Sequence, residues 1–215
     1  MGLYQMKFWF RNTFNNWAKL FIRVNPDLLS FLAVLIAFIT GLCIYYCPYN
    51  WGLLLAACLL IVLRMVFNTL DGMIAIAQGK KSMIGDVVNA LPDRYSDVFT
   101  FLGLALCPLT YKTLGMIGIV SILLVSYSGM LAKAVGVSWQ TQGPAGKVDR
   151  LVILVIGLIL QYIFVIKNFK PPKLIGFNMS IFDWLMIWFI LGAQITIFNR
   201  VKGMLREIRR KENAL

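Results

Sequence analysis

The stretch NTLDGMIAIAQGKKSMIGDVVNALPDRYSD, residues 68–97, interrupts an otherwise apolar chain and holds four of its nine acidic residues. In its first half, polar and small residues follow one helical face at three- and four-residue steps: Asn68, Asp71, Gly72 and Ala75. In its second half they recur every four residues: Gly85, Asn89, Asp93 and Asp97. Two such helices would present amide and carboxylate oxygens to each other, and Mg²⁺ and Mn²⁺ prefer oxygen ligands. The stretch therefore predicts a divalent-cation site between two adjacent helices.

The rest of the chain has the composition of a membrane protein. Hydrophobic residues make up 60% of the sequence, charged residues only 14%, and the mean hydropathy is +0.76. An apolar helix of about 20 residues crosses a bilayer, and all of its backbone hydrogen bonds are internal. Six runs have this length: roughly residues 28–47, 51–70, 84–106, 113–134, 149–167 and 180–199. The predicted fold is an all-α integral membrane protein, a bundle of six transmembrane helices.

The two ends of the chain have a different character from this bundle. Residues 1–24 interleave aromatic with basic residues, which predicts an amphipathic helix lying in the membrane interface. The helix-start signal Asn25–Pro26 then begins the membrane domain, residues 25–200. Residues 201–215 form a basic cytoplasmic tail, expected as a helix on the membrane surface.

The basic residues predict the orientation of the protein. Fifteen of the 21 Lys and Arg residues flank the spans on one side and four on the other. By the positive-inside rule, both termini and the 68–97 stretch face the cytoplasm, from a plasma or inner membrane. Orientation and attraction to anionic lipid headgroups explain the net charge of +12, so no nucleic-acid partner is expected.

Two further features bear on the chemistry. The chain has no histidine, and its four cysteines are scattered at Cys43, Cys47, Cys58 and Cys107, so no zinc site is predicted. Arg64 lies within the second apolar run and needs a partner at that depth, for which Asp71 is the expected candidate.

A glycine-rich segment precedes the fifth apolar run. Its sequence Gly143-Pro144-Ala145-Gly146-Lys147 lacks the spacing of a phosphate-binding P-loop. Two interpretations stay open for Lys147 and Arg150: they hold an anionic acceptor or headgroup, or they are ordinary basic residues at a membrane boundary.

The central stretch resembles the signature of the CDP-alcohol phosphatidyltransferase (CDP-alcohol phosphotransferase) family, D-x2-D-G-x2-A-R-x8-G-x3-D-x3-D. The chain keeps every spacing and reads Asn68-x2-Asp71-Gly72-x2-Ala75-Ile76-x8-Gly85-x3-Asn89-x3-Asp93. Three positions depart, since asparagine replaces the first and third aspartates and Ile76 replaces the arginine. The resemblance therefore predicts a variant branch of that family.

The resemblance implies a set of roles. The metal ligands would be Asn68, Asp71, Asn89 and Asp93, holding one or two Mg²⁺ or Mn²⁺ ions. The nucleotide would lie against Asp71, Gly72, Ala75 and Gly85. Asp93 would also be the catalytic base that takes the proton of the acceptor hydroxyl, and Lys147 and Arg150 would bind the acceptor. A CDP-linked lipid donor, a small alcohol acceptor, membrane lipids and a second copy in a homodimer are the implied partners.

The two asparagines remove half of the negative charge that the signature aspartates supply, because an amide oxygen ligates a cation without neutralising it. Three interpretations follow: the site retains one metal, Asp86 and Asp97 compensate, or the site is a non-catalytic remnant. Asp86, Asp93 and Asp97 fall within about 40° of one another on an ideal helix.

The expected reaction is transfer of a phosphatidyl group from CDP-diacylglycerol to a small polyol or polyol phosphate, with release of CMP. One alternative is transfer from CDP-choline or CDP-ethanolamine to diacylglycerol, which uses the same signature. An ion or proton transporter would also bury carboxylates. It would be expected to show broken helices in repeated halves, and the sequence shows no such repeat.

Overall fold

The structure, a computed structural model, describes residues 24–79, 83–138, 140–169, 173–174 and 177–213, but not the side chains of residues 83–89, 173, 174 and 177. The amphipathic helix predicted for residues 1–24 lies almost wholly outside the described residues.

Within the described residues, six helices coincide with the six apolar runs of the sequence. They are α1 Pro26–Tyr46, α2 Gly52–Ala77, α3 Met83–Leu106, α4 Lys112–Ala134, α5 Lys147–Ile166 and α6 Ile181–Glu212. A two-stranded antiparallel pair that the sequence did not predict, β1 Lys173–Leu174 and β2 Phe177–Asn178, lies between α5 and α6.

The outer surface of the bundle is that of a membrane protein. Within the described residues, five helices are long and apolar enough to span a bilayer: α1, α2, α4, α5 and α6. The third helix is not among them, because it carries the second half of the polar stretch. Large apolar side chains such as Leu59, Met116 and Phe198 point outward and are about two-thirds exposed (70%, 65% and 68%). Apolar outer faces and a partly polar interior define an integral membrane protein.

Close packing of backbones holds the first and third helices together. A Cβ on Gly41 of α1 would collide with the Phe99 carbonyl oxygen of α3, and one on Gly103 would collide with the backbone of Gly41. Small residues allow this approach, which is a common way for membrane helices to associate. The first helix also packs against α2, while α4 packs against α6 and α5 contacts both α2 and α6.

The helix ends refine two expectations. The side chain of Asn25 accepts a hydrogen bond from the Asp27 backbone N–H (3.1 Å) and Pro26 starts α1, as the sequence predicts. The tail differs from the expected surface helix, because α6 continues unbroken from the last apolar run to Glu212. Ser180 and Asp183 form a capping box at its start, and basic residues occupy its last turn.

Candidate active site

Asp71 lies buried near the end of α2, with 3% of its surface exposed. Its Oδ2 atom accepts a hydrogen bond from the Ser30 hydroxyl of α1 (2.8 Å), and Oδ1 accepts one from the Gly72 backbone N–H (2.5 Å). Each carboxylate oxygen has a second lone pair. The two donors therefore fix the orientation of the carboxylate and leave it able to bind a cation.

Asp93 of α3 and Lys147, the first residue of α5, form an ion pair with each other. The Lys147 Nζ atom is 2.5 Å from Asp93 Oδ1, and both side chains are partly accessible (30% and 21% exposed). Arg94 lies at the edge of the pair, 4.0 Å from Asp93 Oδ2. The middle of α3 and the start of α5 thus bring a carboxylate and an ammonium group together.

A buried ion cluster lies directly below this group. The carboxylate of Asp97 binds Arg64 of α2 through Oδ1 (2.8 Å) and Arg150 of α5 through Oδ2 (2.9 Å), and none of the three is more than 2% exposed. Arg64 also donates to the Thr100 hydroxyl (3.2 Å), and Arg150 donates to the Ile122 carbonyl oxygen of α4 (3.2 Å). Asp97 therefore joins three helices through charge-assisted hydrogen bonds.

Each residue of the cluster has a counterpart in the site above it. Each member lies one helical turn deeper than a residue of the site above it: Arg64 below Asn68, Asp97 below Asp93, and Arg150 below Lys147. Fixing Arg64, Asp97 and Arg150 against one another consequently fixes the relative positions of α2, α3 and α5 where they form the site.

The cluster corrects three expectations. Arg64 pairs with Asp97, not Asp71, because seven residues of helix separate Arg64 from Asp71 by about 10.5 Å, whereas α3 faces Arg64 directly. Asp97 is not a compensating metal ligand, since two guanidinium groups already neutralise its charge. Arg150 is not available to bind an acceptor, because it is buried and engaged by Asp97.

The remaining signature residues show whether a cation fits. The amide nitrogen of Asn68 is buried with no hydrogen-bond partner among the described atoms. A half-turn of the side-chain amide exchanges its nitrogen and its oxygen, so the oxygen can take this position and ligate a cation. The described side chains contain no group of three or more His, Cys, Asp or Glu that could hold a metal. Asp71, three residues after Asn68 on the same face of α2, offers further oxygen donors, the kind of ligand that Mg²⁺ and Mn²⁺ prefer.

Gly72 follows Asp71 in α2. Among the described atoms, none lies within 4 Å of a Cβ added to Gly72. Ala75, one turn further, is partly exposed. Gly85 and Asn89 lie in α3, but their surroundings and those of the Asp86 side chain are outside what the structure describes.

The loop that carries Lys147 is anchored to α6. Thr196 of α6 accepts a hydrogen bond from the Ala145 backbone N–H (2.9 Å), and a Cβ on Gly143 (φ +120°) would collide with Thr196. Arg200 donates to the Gln142 carbonyl oxygen (3.4 Å), and Glu207 accepts from both the hydroxyl and the N–H of Ser138. The last helix therefore sets where α5 begins.

Sequence reasoning missed these anchors and Ser30. A single serine in an apolar run carries no recognisable signal, and its role depends on Asp71, 41 residues away in sequence. Thr196 and Arg200 likewise act through contacts across the bundle.

The described part of the chain is thus a bundle of apolar helices whose buried charged groups come from α2, α3 and α5. The family model of CDP-alcohol phosphatidyltransferases matches residues 23–196 of the chain. The chain belongs to this family and is therefore a transferase of phospholipid synthesis. The expected family is confirmed; its assignment to a variant branch remains a prediction.

Relatives and solved structures agree with this assignment. The chain is 25% identical over 185 residues to the inner membrane protein YnbA of Escherichia coli strain K12, covering 85% of each chain. It is 28% identical over 162 residues to the archaetidylinositol phosphate synthase of Pyrococcus horikoshii, covering 75% of this chain and 79% of that protein.

The fold is that of the phosphatidylinositol phosphate synthase PgsA1 of Mycobacterium tuberculosis. Its structure with CDP-DAG bound has a TM-score of 0.65 at 23% identity, covering 87% of this chain and 90% of the other. Its complex with manganese and citrate has a TM-score of 0.67 at 22% identity, covering 87% of each chain.

Proposed function

We propose that the protein transfers a phosphatidyl group from CDP-diacylglycerol to the hydroxyl group of a small polyol or polyol phosphate and releases CMP. The observation that carries this proposal is the cluster of Arg64, Asp97 and Arg150, which holds α2, α3 and α5 together one helical turn below Asn68, Asp93 and Lys147. The signature spacing supports the CDP-linked donor. The archaeal relative, named as a synthase of an inositol phosphate lipid, supports a phosphorylated polyol acceptor.

Different residues of the chain have different roles in this reaction. Asn68, Asp71, Asn89 and Asp93 would hold a divalent cation, whose charge would offset that of the donor's pyrophosphate. The open face at Gly72 and Ala75 receives the nucleotide, with Gly85 on the facing helix.

Asp93 is the general base. It accepts the proton of the acceptor hydroxyl, while the hydroxyl oxygen attacks the phosphorus that carries the diacylglycerol. A phosphoester bond to the acceptor forms, the bond between that phosphorus and the bridging oxygen of the pyrophosphate breaks, and CMP leaves. Lys147, partly exposed next to Asp93, provides positive charge for a phosphorylated acceptor.

The orientation is part of the proposal. The excess of basic residues supports cytoplasmic termini and an active site at the cytoplasmic face, where a water-soluble acceptor and CMP can diffuse. The homodimer implied by the family resemblance remains a prediction.

The test is release of radiolabelled CMP by purified protein in lipid, screened over CDP-diacylglycerol, CDP-choline and CDP-ethanolamine with polyol, polyol phosphate and diacylglycerol acceptors. We expect turnover with CDP-diacylglycerol and a polyol or its phosphate. Chelation by EDTA should abolish it, and added Mg²⁺ or Mn²⁺ should restore it.

Asp93→Asn should remove turnover, while Asp27→Asn, at an exposed aspartate outside the site, should retain it. Turnover only with diacylglycerol as acceptor would establish the reverse alternative. Absence of CMP release with every pair, or cation flux in liposomes, would refute the proposal.

A further inference from the structure

Two of the four cysteines meet at the end of the bundle that lies away from Asp71. Cys47 directly follows α1 and Cys107 directly follows α3, whereas Asp71 lies about 28 Å of helix rise beyond the start of α2. The Sγ atoms of the two cysteines are 4.0 Å apart, although 60 positions separate them in the sequence. Neither residue is more than 1% exposed, and both belong to the apolar core. The two thiols therefore lie against each other, shielded from water.

The backbone is fixed on both sides of this contact. The Cys47 carbonyl oxygen accepts a hydrogen bond from the Asn50 N–H (3.1 Å), and the Cys107 carbonyl oxygen accepts one from the Thr110 N–H (2.9 Å). One helical turn before Cys107, the close backbone contact at Gly103 holds α1 and α3 side by side. A disulfide bond is about 2.05 Å long, so bond formation brings the two sulfurs about 2 Å closer together.

The proposed orientation places this pair on the side away from the cytoplasm. The α1–α2 and α3–α4 links belong to the flank that has few basic residues, which faces the periplasm or the cell exterior. Disulfide bonds persist in those compartments, whereas cytoplasmic thiols are kept reduced. Cys58 has a different setting, since its sulfur lies 3.9 Å from the Val155 carbonyl oxygen of α5.

We infer that Cys47 and Cys107 form a structural disulfide bond that ties the outer ends of α1 and α3 together. The inference rests on the orientation within the proposed function, because the outer side supplies the oxidant, which is itself a disulfide-bonded molecule. The bond forms as the chain folds, before the apolar core covers the two sulfurs.

The reaction is thiol–disulfide exchange in two steps. The thiolate of one cysteine attacks a sulfur of the oxidant's disulfide, which breaks that bond and releases one thiolate of the oxidant. The thiolate of the other cysteine then attacks the sulfur of the first, and the second thiolate of the oxidant leaves. The cysteine pair is oxidised, and the oxidant is reduced to two thiols that take up the two protons lost by the cysteines.

The number of free thiols tests the inference. Bacteria expressing the full-length protein are quenched in acid, so that no bond forms after lysis, and the denatured chain is treated with N-ethylmaleimide and weighed by mass spectrometry. We expect two adducts, at Cys43 and Cys58, and four adducts after reduction with dithiothreitol. A protease digest of the unreduced wild type should contain two peptides linked through Cys47 and Cys107.

Cysteine variants identify the pair. Cys47→Ser and Cys107→Ser should each give three adducts without reduction, because each leaves the partner thiol free. Cys58→Ser is the matched control and should give one adduct, because it keeps the bond. The count is made on denatured chains, so it does not depend on whether a variant folds. Four adducts in the unreduced wild type, a linked peptide that contains Cys43 or Cys58, or three adducts in Cys58→Ser would each overturn the inference.

Labelling from outside separates the inference from the orientation. Lys112→Cys, at the exposed first residue of α4, is made in the Cys47→Ser/Cys107→Ser background and treated in spheroplasts with a membrane-impermeant maleimide. We expect labelling of this variant but not of the background alone. Protection of the new cysteine would refute the orientation, remove the source of the oxidant and so overturn the inference.

The remaining outcomes distinguish the bond from the enzyme activity. Labelling of Lys112→Cys together with four adducts in the unreduced wild type overturns the inference alone. A wild type that carries the bond but releases no CMP from any donor refutes the proposed reaction alone.

Discussion

Asp97→Asn removes the negative charge that Arg64 and Arg150 share in the interior of the bundle. Both arginines are fully buried and bind separate oxygens of this carboxylate, at 2.8 and 2.9 Å. Removing one partner of a buried ion pair costs about 3–5 kcal/mol, because the remaining charge is left uncompensated. For a chain of this size, that corresponds to a melting temperature lower by about 6–20 °C.

Thermal unfolding in a fixed detergent, followed by tryptophan fluorescence, measures this loss. The matched control is Asp27→Asn in the first turn of α1, whose exposed side chain should cost less than about 1 kcal/mol. The triple variant Arg64→Met/Asp97→Leu/Arg150→Met should recover much of the lost stability, because apolar side chains of similar volume need no counter-charge. In a chain of this size, about 1 kcal/mol shifts the melting temperature by about 2–4 °C. A melting temperature of Asp97→Asn within about 2 °C of the wild type would therefore show that the cluster does not hold the helices together.

Three other substitutions test the surroundings of the site. Ser30→Ala removes the hydroxyl that orients Asp71 and should weaken Mn²⁺ binding by about 10- to 100-fold, as loss of outer-shell partners does; an unchanged dissociation constant would contradict this. Gly72→Leu should raise KM for the CDP-linked donor at unchanged melting temperature, because the new side chain meets none of the described atoms; an unaltered KM would show that the nucleotide lies elsewhere. Gly103→Leu should instead reduce the free energy of unfolding by roughly 1–3 kcal/mol or more and so lower the melting temperature, because it forces Gly41 and α1 away. An unchanged melting temperature would refute the close contact.

The course of the chain through the bundle could be predicted from the sequence because hydropathy is a local property. Each apolar run became one helix, and the Asn25–Pro26 signal marked the start of α1. Which residues of α2 and of α3 share a face also followed, since three- and four-residue spacing fixes the helical face that a residue occupies.

Depth along a helix was harder to predict. Asp97 shares a face with Asp93 but lies one turn deeper, where it meets two arginines instead of a cation. The same displacement separates Arg150 from Lys147. Spacing within one helix gives the face, whereas the partner depends on how far neighbouring helices are shifted relative to one another.

The continuity of α6 has a consequence for how the protein is handled. The helix is about 48 Å long, well beyond the hydrocarbon thickness of about 30 Å, and its basic end contacts the loop that leads to Lys147. Shortening the chain before Glu207 would therefore free Ser138 at the start of that loop, while Thr196 and Arg200 would still hold the part next to Lys147. A fusion partner or affinity tag is better placed after residue 213, where it leaves the contacts between α6 and this loop intact.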